Sequence, residues 1–74
     1  MMIRTAVEVF KTNVPGPPVA KVLTIKLKAL LPSAKINFDL DDCDHILRVE
    51  ARRTIDVALI RNCILYHGYE AELL

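Results

Sequence analysis

Asn13-Val14-Pro15-Gly16-Pro17-Pro18-Val19 gathers three prolines and a glycine into seven residues. It lies between a short apolar strand pattern and an amphipathic helix pattern, so one must end and the other begin within it. Pro15, Pro17 and Pro18 stop the strand, because proline has no N–H to donate to a ladder. The same prolines are tolerated in the first turn of a helix, where backbone N–H groups have no partner in any case. In a small α+β domain this is where a ligand loop lies. Yet no residue of the stretch can ligate a metal, act as a base or serve as a nucleophile.

Before the prolines, Arg4–Lys11 reads as the first strand. Val7 and Val9 alternate with Glu8, while Ala6 and Phe10 supply the other face. Apolar residues on both faces predict a central strand. On the other side, Pro17 to Leu31 reads as a helix with Val19, Leu23, Leu27 and Leu30 in one apolar stripe and Val22 beside it. Lys26 and Lys28 suit the negative end of its dipole, and Pro32 and Ser33 end it. Lys35–Leu40 alternates, with Ile36, Phe38 and Leu40 toward the core and Asn37 and Asp39 outward. Asp41, Asp42, Cys43 and Asp44 form a polar turn, and His45–Ala51 returns as a strand with Leu47 and Val49 inward, which makes the pair a hairpin. Thr54 is placed to cap a second helix running to about Tyr66, with Val57, Ile60, Ile64 and His67 on one face and Cys63 adjoining. Gly68 suits a left-handed cap, and Tyr69–Leu74 reads as a short last strand.

The resulting order is strand, helix, strand, strand, helix, strand. It predicts an α+β, ferredoxin-like βαββαβ fold, a four-stranded antiparallel sheet with two helices on one face. A chain of 74 residues is expected to form a single domain, 1–74. A chain of that size buries only about 60% of its unfolded surface, and the 53% apolar content suits that need. There is no apolar run of about 18 residues, so no membrane insertion is expected. Glu8 and Lys11 interrupt any secretory h-region, and a cytoplasmic location follows as an expectation. Cys43 and Cys63 are too few for a disulfide framework and are read as free thiols. The net charge of +1 conceals a polarity: residues 1–37 carry six Lys/Arg and one Glu, a net +5, and residues 38–74 carry four Arg and eight Asp/Glu, a net −4. The near-neutral total and 5% aromatic content argue against a nucleic-acid binder.

Leu30-Leu31-Pro32-Ser33 at the end of the first helix, the strand Ile36–Leu40, and the closing His67-Gly68-Tyr69-Glu70-Ala71-Glu72-Leu73 occur in an order and spacing that resembles the heavy-metal-associated domain family, that of small copper chaperones and the metal-binding modules of heavy-metal pumps. The similarity covers nearly the whole chain. The family's loop reads Gly-Met-x-Cys-x-x-Cys. By the resemblance, Val14 takes the place of the Met that packs beneath the loop, and Gly16 and Val19 stand where the two metal-binding cysteines belong. Two thiolates at that spacing hold Cu(I) or, with further ligands, Zn(II); glycine and valine side chains offer no donor. The family's metal chemistry is therefore not carried over to this loop, and no cofactor is expected. An anion at the helix N-terminus is also disfavoured, since Pro15, Pro17 and Pro18 have no N–H to give it.

Strand directions put Asn13–Gly16, Asp41–His45 and His67–Gly68 at one pole. Cys43, His45 and His67, with Asp42 or Asp44, then form the alternative metal site, with Zn or Cu as the candidate ion. At each position a plainer role competes: a surface thiol at Cys43, a strand start at His45, packing or a helix cap at His67. The acidic turn lacks the spacing, central Gly and terminal Glu of a calcium loop, and no nucleophile–base pair appears. The expected function is that of a non-enzymatic interaction module with a degenerate CxxC loop, binding through a sheet edge or through the apolar Pro15-Gly16-Pro17-Pro18 loop, its partner either another protein or a second copy. The alternative is a heavy-metal binding or transport protein that uses the Cys43, His45 and His67 site; a second rival is an enzyme or small-molecule binder, which a sizeable pocket between sheet and helices would support.

Overall fold

The computed structural model describes residues 5–74. Its elements are β1 (Ala6–Thr12), α1 (Pro17–Leu30), β2 (Lys35–Asp39), β3 (Ile46–Ala51), α2 (Val57–Tyr66) and β4 (Ala71–Leu73). The strands form one antiparallel sheet in the order β2-β3-β1-β4, the ferredoxin-like α+β arrangement. As its two apolar faces require, β1 is central. Arg4, where the expected first strand begins, lies outside the described residues. No helix among the described residues is long and apolar enough to cross a membrane.

The core fills the space between sheet and helices. Phe10 and Leu47, paired across β1 and β3, are fully buried with Val49, Leu23, Leu27, Ile60 and Ile64. Burial of a side chain of this size contributes about 1.5–3 kcal/mol. Alternation directs Ala6, Glu8 and Phe10 to the helix side and Val7, Val9 and Lys11 to the open face. On that face opposite charges stand across strands, Lys35 opposite Glu50 and Lys11 opposite Glu72.

The apolar stripe of α1 differs from the sequence expectation. Ala20, Leu23 and Leu27 are buried, half-buried Leu31 continues the line, and Leu30 and Val22 are exposed. Helical spacing of 20, 23, 27 and 31 keeps one line under the helix, whereas 30 and 22 fall on its flanks. The second helix also starts later than expected. Thr54 is exposed and caps nothing; Asp56 is the cap, its carboxylate accepting from the Leu59 N–H at 3.1 Å. The cause is Ile55, which is buried and ties the chain to the core just before the helix. Ile55 before the cap and Ile60 four residues after it are both buried, the spacing of a hydrophobic staple. At the far end Gly68, at φ 89°, has the expected left-handed conformation. Its N–H donates to Leu65 O at 2.9 Å and the Tyr69 N–H to Ile64 O at 3.1 Å, a Schellman cap.

The register also determines which backbone groups remain unspent. Asn13 N donates to Glu70 O and Leu74 N to Val9 O, so residues 9, 11 and 13 turn their backbone toward β4. Antiparallel alternation then turns Phe10 and Glu8 toward β3, and Ile46, Arg48 and Glu50 of β3 toward β2. Their partners Asp39, Asn37 and Lys35 are thus satisfied. Ile36 and Phe38 direct N–H and C=O away from the sheet, to its open edge.

Candidate functional site

Three loops meet at one pole of the sheet, and Thr12 joins two of them. Its backbone N–H donates to Asp44 O at 3.1 Å, and its hydroxyl donates to His45 O at 2.6 Å and accepts from the Val14 N–H at 3.3 Å. Thr12 is the buried polar residue of the described chain, and these bonds meet the requirement that a buried hydroxyl be paired. Asn13 ties in the third loop: its side-chain oxygen accepts from Glu70 N at 2.7 Å while its own N–H donates to Glu70 O. Neither residue stands out in the sequence. One ends a strand pattern and the other begins a proline loop, and the contacts they make are 33 and 57 residues away.

Val14 is fully buried beneath the loop, as a packing residue must be. Gly16 and Val19 are half-buried, and Pro15, Pro17 and Pro18 are exposed. Gly16 precedes α1 as an N-cap without any side-chain bond, its carbonyl accepting from Ala20 N at 3.1 Å. The loop is thus rigid, apolar at its surface and short of donors.

The hairpin turn is knit together internally. Asp42 Oδ1 accepts from Asp44 N at 2.9 Å, and Asp42 O from His45 N at 2.9 Å. His45 adopts φ 46°, a left-handed conformation uncommon outside glycine. That turn brings its imidazole Nδ1 into hydrogen-bond contact with the Val14 carbonyl oxygen. His67 Nδ1 bonds the Cys63 carbonyl at 2.8 Å, one turn back along its own helix. Each histidine therefore has one ring nitrogen committed to a backbone carbonyl. Cys43 is exposed, and the donor atoms that gather near it belong to Asp42 and Asp44, all within 4.8 Å of one another. Among the described residues neither His45 nor His67 joins a group of three donors at that spacing. The pole thus holds all three sequence candidates without bringing them into one ligand set. Cys63 is half-buried; burial pushes its thiol up, against a smaller opposing pull from the Lys26 ammonium.

Two clefts flank the core rather than enter it. One of 610 Å³ lies between α2 and β4, lined by Ala58, Arg61, Leu65, Glu70 and Glu72, with Arg61 Nε donating to Ala71 O at 3.2 Å. The other, of 360 Å³, runs between α1 and the edge of β2, lined by Ala20, Lys21, Thr24, Ile36, Phe38 and Leu40.

No protein-family model matches the chain, and no curated protein matches it. Among solved structures it is similar to the alpha subunit of aIF2 from Pyrococcus abyssi, at 18% identity and a TM-score of 0.54, over 99% of this chain and 34% of that one. The chain spans about a third of that protein's length. At this identity the likeness concerns the fold alone.

Proposed function

We propose that the chain is a non-enzymatic protein-interaction module of the heavy-metal-associated type, with a metal loop that has lost its ligands and a sheet edge that does the binding. The observation that carries this reading is β2. It is an edge strand of five residues whose register turns the backbone groups of Ile36 and Phe38 away from the sheet. It runs beside a cleft into which half-buried Ile36, Phe38 and Leu40 project. An extended segment added there gains main-chain hydrogen bonds from the edge and specificity from the apolar side chains along the cleft. The donor-free loop supports the same reading, since Val14 fills the core and Gly16 and Val19 have nothing to offer a metal.

Peptides selected from a random display library against the immobilised chain test the reading. Binding peptides are expected to shift the amide resonances of Ile36 and Phe38 most strongly. Peptides that bind elsewhere, or a library that gives no binders, would contradict it.

A further inference from the structure

Resting on the edge-binding reading above, we infer that the occupant of the β2 edge is the β2 edge of a second copy of this chain, paired antiparallel about a two-fold axis through Asn37. The outward-directed N–H and C=O of Ile36 then meet the C=O and N–H of Phe38 in the second copy, and the reverse. The two four-stranded sheets become one continuous sheet.

Charge favours this register over those centred on residues 35 and 39. Lys35, Asn37 and Asp39 are exposed and lie on the open face of β2. With Asn37 opposite its own copy, each Lys35 faces Asp39 of the other chain, at the non-hydrogen-bonded positions where side chains approach most closely. Centring the pair on residue 35 instead sets Lys35 against Lys35, and centring it on residue 39 sets Asp39 against Asp39. Parallel pairing in register puts like beside like at both positions. On the helix side the Asn37-centred register lays Ile36 against Phe38 of the other copy twice over. This covers side chains that the monomer leaves half-buried.

The opposite edge offers less. β4 has three residues, and the outward carbonyl of Ala71 already accepts from Arg61. On β2 the ladder ends where the donors end, since Ala34 N is spent on Leu31 O at 3.0 Å. The pairing is thus confined to the segment whose charges complement each other.

Sedimentation velocity of the full chain over a range of concentrations, with K35D, D39K and their equimolar mixture, tests the inference. Both positions are exposed, and circular dichroism reports whether each variant is folded. The wild type is expected to dimerise. Each variant alone brings like charges together twice and weakens the dimer by about tenfold or more, and the mixture restores association as a heterodimer. Amide exchange gives a readout without substitution: Ile36 and Phe38 gain protection as concentration rises, whereas Asn37, bonded within the monomer sheet, does not change. A wild type that stays monomeric, or a dimer indifferent to both charge reversals, overturns the inference. In that event the peptide selection decides separately whether β2 binds other chains, so the failure of the homodimer is distinguishable from the failure of the edge reading.

Discussion

Thr12 shows how much one hydroxyl can organise. It satisfies the His45 carbonyl and the buried Val14 N–H together, so it holds the hairpin turn against the proline loop. Thr12→Val keeps the shape and removes both bonds, leaving buried groups without partners, and is expected to cost about 1–3 kcal/mol in denaturant unfolding. Thr12→Ser keeps the hydroxyl and should cost clearly less; equal losses for the two would assign the effect to the methyl group. The two thiols differ at the same scale. Cys43 is exposed, whereas burial holds the Cys63 thiol up. Because the thiolate is the nucleophile, iodoacetamide at neutral pH should alkylate Cys43 first, as peptide mapping would show. Preferential labelling of Cys63 would contradict the burial assigned to it. The same shift has a consequence for stability: folded Cys63 keeps its proton to higher pH than the unfolded chain does, so raising pH through the ordinary thiol range costs stability.

At the scale of the elements, the second helix separates what the sequence made legible from what it did not. Its apolar face and its glycine stop are periodic and local signals, and Ile60, Ile64 and Gly68 stand as those signals require. Its start is set by tertiary packing instead. Ile55 is drawn into the core, and the cap moves from Thr54 to Asp56. Asp56→Ala is therefore expected to cost about 1 kcal/mol, the usual loss for an N-cap, while Thr54→Ala should stay within about 0.5 kcal/mol in the same thermal or denaturant unfolding experiment. The reverse order would return the cap to Thr54. The first helix shows a related limit. A stripe through Leu30 and one through Leu31 fit the sequence almost equally well, and only the position of the sheet beneath selects Leu31. The alternation that identified β1, β2 and β3 survives intact because a one-residue slip would turn a whole strand inside out.

The whole molecule pairs a closed pole with an open edge. At the pole, loops from three parts of the chain are bound to one another through Thr12, Asn13 and His45. Sequence reasoning could bring Cys43, His45 and His67 to that pole from strand direction alone. It could not say where the side chains turn, because that depends on the left-handed backbone at His45 and on carbonyls that claim both imidazoles. The open edge at β2 follows from the strand order and the register, and it needs no residue that looks functional in isolation. The proposed function requires that this fold bind its partners without metal. Native mass spectrometry of the reduced chain, titrated anaerobically with Cu(I) and then Zn(II) in the presence of a moderate chelator, tests it most directly. A protein that stays metal-free is the expected result. Stoichiometric metal that survives the chelator and is lost in Cys43→Ser would contradict it and make the pole a relocated metal site.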